Sequence, residues 1–176
     1  IYLDAGATTL QKPPAVAFAV QSAMRRMATP GRGGHLPAMR AADAVYDCRC
    51  LVGALFGAQP EQVVFTMNAT HALNLAIKTL EHNAVLRPLH HIGANITAVG
   101  RQLFDPADTL AAFDRAVTPD TNAVVCTHVS NVFGYILPIE EIAALCRARG
   151  VPFVLAASQS AGLLPVHLAE LGADFI

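Results

Sequence analysis

Four short stretches of the chain place polar side chains beside apolar runs, where binding or catalysis could take place. In the first, Asn68, Ala69 and Thr70 follow an apolar run and lead into a helical pattern. The first N–H groups of a helix have no internal partner, so this turn could bind a phosphate group. An ordinary helix N-cap made by Asn68 or Thr70 explains the same residues, because no glycine-rich phosphate motif accompanies them.

Neutral amide side chains follow two predicted strands. Asn131 follows one apolar run, and Gln159 follows another within the sequence VPFVLAASQSAG at 151–162. In an open α/β sheet the ligand lies beyond the carboxyl ends of the strands, so we expect Ala156, Ser158 and Gln159 to lie near a ligand. Asn131 is expected to reach the same region from the end of its own strand. An amide can hydrogen-bond a ligand oxygen, but an asparagine in a loop can also satisfy its own turn.

His82 is a candidate for acid–base chemistry. It lies between Glu81 and Asn83, just ahead of an apolar helical pattern. Its imidazole could move protons or stack as a flat ring on a cofactor. The alternative is a histidine at a helix start that is satisfied by backbone groups. The other histidines and the four cysteines show no metal-ligand spacing, and the sequence therefore predicts no metal site.

Composition and charge limit the classes of function. The chain has 176 residues, of which 53% are hydrophobic and 14% charged, and its formal net charge is −1. Such a chain is typical of a folded domain with close helix-on-sheet packing or a large subunit interface. The charge gives no basic footprint for nucleic acid or an anionic membrane, and no apolar run is long enough to span a bilayer. With no signal-peptide pattern and few cysteines, a cytoplasmic protein is expected.

Alternating helical and strand patterns position these candidate residues. Helical periodicity predicts helices at about 14–27, 38–56, 71–80, 81–93, 106–117 and 138–149. Apolar runs predict strands at 63–67, 95–99, 123–129 and 151–157, and a last strand before Ile176. This alternation predicts an α/β fold with a mainly parallel sheet. One junction does not fit, because Leu80 runs into Glu81 without the returning strand that a parallel unit requires.

Taken together, these motifs resemble the cysteine desulfurase and selenocysteine lyase group of the class V aminotransferase-like enzymes. The resemblance covers essentially the whole chain through the ordered stretches IYLDAGATT, TPGRGGHLP, VVFTMNATHALNLAI, EHNAVLRPL, THVSNVFGYILPI, VPFVLAASQSAG and LGADFI. It implies a fold-type I α/β domain, with a mainly parallel sheet and helices on both faces, that binds pyridoxal 5'-phosphate. Residues 1–176 would then form an incomplete cofactor-binding large domain, with 1–30 as its N-terminal segment.

The resemblance implies that six residues form the cofactor-binding site: Ala69, Thr70, His82, Asn131, Ala156 and Gln159. Ala69 and Thr70 match the turn that binds the cofactor phosphate, and His82 matches a histidine that stacks on the pyridine ring and helps move protons. Asn131 matches an amide near the cofactor and the substrate carboxylate. Gln159 matches an amide that hydrogen-bonds the phenolic oxygen of the cofactor.

Two positions in the implied site depart from the family pattern. Ala156 stands where the family has an aspartate that keeps the pyridine nitrogen protonated, so the cofactor is expected to be a weaker electron sink here. The opening loop, in which Gly6 and Ala7 match residues close to the substrate, has Ala5 in place of an asparagine.

The activity implied by the resemblance is release of sulfur or selenium from cysteine or selenocysteine, which leaves alanine. The family's Schiff-base lysine would lie after Ile176, since neither Lys12 nor Lys78 matches it, and this chain alone is expected to be inactive. A class V aminotransferase or β-lyase on the same fold is one alternative, and a non-catalytic relative is another. The implied partners are the small amino-acid substrate, a second copy in a homodimer and a sulfur-acceptor protein, without nucleic acid or membrane.

Overall fold

The computed structural model describes residues 10–31, 33–79, 97–99 and 104–176. The chain divides into two compact units. The first consists of Ile1–Ala54 and Gln59–Val63, and the second of Leu55–Ala58 and Val64–Ile176.

The described part of the first unit is helical. Helix α1 spans Pro14–Arg26, and α2 spans Leu36–Phe56, of which the last two residues belong to the second unit. Proline at the first position of α1 suits a helix start, because its fixed φ is helical and its missing N–H is not needed there. A 3-10 helix at Pro60–Gln62 follows, and the N–H of Gln59 donates to the Gln62 side chain at 2.8 Å. The predictions of α1 and α2 are confirmed to within two residues.

The described part of the second unit contains four helices: α3 (Ala69–Thr79), α4 (Pro106–Ala116), α5 (Ile139–Arg149) and α6 (Leu168–Leu171). Asp105 caps α4, because its carboxylate accepts the N–H of Asp108 at 3.0 Å. Helix α5 ends at Gly150, whose φ of 66° is a left-handed conformation that glycine adopts without strain. Helices α3, α4 and α5 agree with the predicted helices, whereas α6 was not predicted.

Two parallel strands lie at the centre of the second unit. Strand β1 spans Val124–Thr127 and β2 spans Phe153–Ala156, and they pair in register from Val124 opposite Phe153 to Thr127 opposite Ala156. A single parallel bridge joins Phe175 to Val154. The predicted strands at 123–129 and 151–157 are confirmed in shorter form, and the predicted last strand is reduced to this bridge.

Helices pack against both faces of this small sheet. Because side chains alternate across a strand, Cys126, Phe153 and Leu155 share the hydrophobic core, to which α4 and α5 also contribute. Val154 and Ala156 belong to the opposite face of β2, which α3 contacts. The predicted arrangement, a parallel sheet with helices on both faces, is therefore present. None of the helices in the described ranges is both long and apolar enough to cross a membrane.

Two strand predictions are wrong for the residues that the structure describes. The segment 63–67 forms no strand, and Val64, Phe65 and Met67 are exposed rather than buried. Thr97–Val99 also lie outside any strand, and 95–96 are outside the described residues. The physical reason is that a strand needs a neighbour to complete its hydrogen-bond ladder, and the described residues supply none here. The helix predicted at 81–93 and the junction before it also lie outside the described residues.

Candidate functional site

A cavity of about 240 Å³ lies between α3 and the carboxyl end of β2. Ala69, the first residue of α3, lines one side, and Ala156 and Ser158 line the other. Within the described ranges, every residue that lines the cavity is apolar apart from Ser158. Two of the predicted cofactor residues, Ala69 and Ala156, are therefore brought together, although they are far apart in the chain.

The N-terminal turn of α3 is capped by Asn68. The side-chain Oδ1 of Asn68 accepts the N–H of His71 at 2.9 Å, and its backbone oxygen accepts the N–H of Ala72 at 3.0 Å. The N-cap interpretation of this turn is thus confirmed for Asn68. This cap still leaves room for an anion site, because the N–H of Ala69 is at the first helical position, where helix geometry supplies no acceptor. Thr70 lies in the same turn and is exposed.

Asn131 lies on a loop that Ser130 closes. The N–H of Ser130 donates to the backbone oxygen of Tyr135 at 2.9 Å. The Ser130 hydroxyl oxygen accepts the N–H groups of Val132 and Phe133 at 3.3 and 3.2 Å. The side chain of Asn131 is exposed and forms no hydrogen bond within the part of the chain that the structure describes. The turn is therefore satisfied by Ser130, and the asparagine amide faces solvent.

The Asn131 loop is attached to the carboxyl end of β2 through His128. The N–H of His128 donates to the Ala156 oxygen at 3.0 Å, and the His128 oxygen accepts the N–H of Leu137 at 3.0 Å. The His128 side chain is buried, and burial lowers the pKa of the imidazole because the charged form loses water. Asn131, in the loop after β1, and Ala156, the last residue of β2, thus lie at the carboxyl ends of two neighbouring strands.

Of the remaining predicted site residues, only Gln159 is among the residues that the structure describes. Gln159 is half-buried in the turn after β2, next to the cavity residue Ser158. His82, Gly6 and Ala7 lie outside the described residues, and their roles stay predictions. Across the described ranges, no three His, Cys, Asp or Glu side chains are grouped as metal ligands would be.

Sequence reasoning did not single out Ser130. The signal was present in the order Ser130-Asn131-Val132-Phe133-Gly134, because a serine at a turn start can accept backbone N–H groups two and three residues on. Either Ser130 or Asn131 could have played that part, and only the structure shows which of them does.

Comparison with known proteins identifies the family. The sequence profile of the aminotransferase class-V family matches residues 1–176, which is the whole chain. The chain belongs to the class-V aminotransferase family. This is a family of enzymes that depend on pyridoxal 5'-phosphate, so the predicted family and enzyme class are confirmed.

A curated relative of this class-V chain is the cysteine desulfurase IscS of Pectobacterium carotovorum subsp. carotovorum. It is 34% identical over 197 aligned positions, which cover 100% of the chain and 48% of the relative. The class-V chain therefore spans about half the length of the curated relatives it matches. The aligned positions outnumber the 176 residues here, so the relative has residues that this chain lacks.

Solved structures of the same kind share the fold of the class-V chain. The apo cysteine desulfurase of Thermococcus onnurineus NA1 superimposes with a TM-score of 0.82 at 26% identity, covering 99% of this chain and 49% of that one. SspA in complex with cysteine superimposes with a TM-score of 0.83 at 26% identity, covering 96% and 54%. The predicted fold class is confirmed by these similarities.

Proposed function

We propose that the whole protein is a pyridoxal 5'-phosphate-dependent cysteine desulfurase that releases sulfur from cysteine, or selenium from selenocysteine, and leaves alanine. The observation that carries this proposal is the cavity that joins Ala69 at the start of α3 to Ala156 at the end of β2. Relatives with the name cysteine desulfurase, and a structural neighbour in complex with cysteine, support the reaction and the substrate class. Residues 1–176 would be part of the cofactor-binding large domain.

The cavity suits the phosphate and the ring of the cofactor. The turn at Ala69 and Thr70 would hold the phosphate through backbone N–H groups and the positive end of the helix dipole. The apolar walls would exclude water from the ring. The amides of Asn131 and Gln159 would hydrogen-bond ligand oxygens, and His82 would move protons. When bound, pyridoxal phosphate supplies an electron sink for bond cleavage in the amino-acid substrate.

The cavity does not suit a protonated pyridine nitrogen. Among the residues that the structure describes, none that lines the cavity carries a charge, and Ala156 provides no carboxylate. A cation in such a wall would lose hydration without gaining a counter-charge, so we propose that the ring nitrogen stays neutral in this protein. This feature also favours the second candidate function, a non-catalytic relative on the same fold.

The partners and the compartment follow from the same proposal. The substrate would be a small amino acid near Gly6, Ala7 and Asn131, and sulfur would pass to an acceptor protein. Helix α1 has no buried residue, and exposed apolar side chains such as Phe18 and Met24 support contact with a second copy in a homodimer. The four cysteines are free, which supports a cytoplasmic location.

Cofactor binding and product analysis on the full-length protein test the proposal. We expect pyridoxal phosphate to bind with the visible absorbance of a protein-bound cofactor, and cysteine to yield sulfide and alanine. Production of a keto acid instead would indicate an aminotransferase. Failure to bind pyridoxal phosphate at all would reject the proposal in favour of a non-catalytic relative.

A further inference from the structure

We propose that Ser130 is a positioning residue that holds the amide of Asn131 available for the cofactor. This inference rests on the proposed function and adds to it a residue that touches neither cofactor nor substrate. Ser130 would act on the ligand only through the conformation of the loop that follows β1.

The hydrogen bonds of Ser130 define the inside of this loop. Its N–H donates to the backbone oxygen of Tyr135, and its backbone oxygen accepts the N–H of Gly134, both at 2.9 Å. Its hydroxyl oxygen accepts the N–H groups of Val132 and Phe133 at 3.3 and 3.2 Å. One serine thus closes the loop at the backbone and also satisfies donors at its tip.

The two ends of the loop are fixed independently of the Ser130 hydroxyl. Val129 and Ile136 form an antiparallel bridge, and His128 is hydrogen-bonded to Ala156 and Leu137. Replacement of the hydroxyl should therefore leave the loop attached to β2 and change only the tip that carries Asn131.

The hydrogen bond from the Phe133 N–H to the Ser130 hydroxyl explains why the Asn131 amide stays available for a ligand. An asparagine side chain in a loop commonly accepts the N–H of the residue two positions on, which for Asn131 is Phe133. The Ser130 hydroxyl already binds that N–H. With the donor occupied, the exposed Asn131 amide has no local partner among the described residues and can hydrogen-bond a ligand. Without the hydroxyl, Asn131 would turn inward onto Phe133.

The test is the dissociation constant of pyridoxal phosphate for the full-length protein, measured by the absorbance of the bound cofactor. We expect Ser130→Ala to weaken binding by about 3- to 10-fold, which corresponds to one hydrogen bond. Asn131→Ala should weaken it at least as much. The double variant should bind no more weakly than Asn131→Ala alone, because Ser130 acts through Asn131. Ser130→Thr, which retains the acceptor oxygen, should restore binding.

A matched control is available at the other end of β1. The Thr121 hydroxyl oxygen accepts the N–H of Thr118 at 2.8 Å in the loop before the strand, so Thr121→Ala removes a similar bond far from Asn131. It should leave the dissociation constant unchanged. Unchanged binding in Ser130→Ala, or losses that multiply in the double variant, would overturn the inference alone. A wild-type protein that binds no pyridoxal phosphate would instead overturn the proposed function, and the role of Ser130 with it.

Discussion

His128 is a buried titratable group at the point where β1 leads into the Asn131 loop. Its Nδ1 has no hydrogen-bond partner in the described part of the chain, and burial lowers the pKa of the ring. The imidazole therefore takes up its proton at a lower pH in the native state than in the unfolded chain, where the pKa has its ordinary value of 6.5. Where the unfolded state binds more protons, stability falls as the pH falls.

We predict that His128 makes the protein less stable as the pH decreases below 6.5. The contribution of this one group is at most about 1.4 kcal/mol per pH unit. Urea unfolding at pH 7.5 and pH 5 should show a smaller difference in the free energy of unfolding for His128→Leu than for wild type. An equal difference in the two proteins would show that the pKa of His128 is the same in the folded and unfolded states.

The four cysteines are predicted to react at very different rates. Burial raises the pKa of Cys126 to about 12 and, as the main cause, that of Cys146 to about 11, whereas Cys48 is exposed. Because the thiolate is the nucleophile, Cys126 and Cys146 should not react with a disulfide reagent at pH 8 until the protein unfolds. Cys48 should react first, and Cys48→Ser should remove that fast phase. Peptide mapping identifies the modified thiols, and fast modification of Cys126 or Cys146 would contradict this prediction.

At the level of secondary structure, Arg149 joins α5 to the end of α4. Its guanidinium donates to the backbone oxygens of Asp114 and Val117 at 2.7 Å and pairs with the Asp114 carboxylate. The last carbonyl groups of a helix have no internal donor, so the guanidinium supplies what α4 lacks. The ion pair itself is largely exposed, and such pairs contribute little.

Two substitutions should separate these contributions. Arg149→Met removes the donors to the α4 carbonyl groups and should lower the free energy of unfolding by about 1 to 2 kcal/mol. Asp114→Asn removes only the opposite charge and should cost about 0.5 kcal/mol or less. Urea denaturation measures both. A larger loss for Asp114→Asn would mean that the ion pair, and not the bonding to the helix end, stabilises the contact.

At the scale of the whole molecule, the described walls of the cavity carry no charge, and this bears on how the proposed cofactor would bind. Ala156→Asp should tighten pyridoxal phosphate binding to the full-length protein by about 10-fold, because a carboxylate there would stabilise a protonated ring nitrogen. The same variant without cofactor should be less stable by about 1 to 2 kcal/mol, since the charge would lack a partner. Ala156→Asn is the uncharged control and should not tighten binding. An unchanged dissociation constant for Ala156→Asp would show that Ala156 does not face the ring nitrogen.

The sequence by itself determined the family and all of the described α-helices except the short α6. Proline at the start of α1, the Asp105 cap of α4 and the glycine after α5 act on neighbouring residues, so their effect can be read without knowing the rest of the fold. The motifs likewise indicate the class-V family through their residue types and their order along the chain. Helix hydrogen bonds join residues four apart, which is why such local signals sufficed.

The tertiary structure decided those features that depend on residues far apart in the sequence. The segment 63–67 has the composition of a buried strand but forms none, because a strand requires a neighbour that no local pattern can guarantee. The approach of Ala69 to Ala156 in one cavity, and the use of Ser130 in place of Asn131 to satisfy a loop, also became known only from the structure. In each case the sequence offered more than one partner for the same group, and packing in three dimensions selected among them.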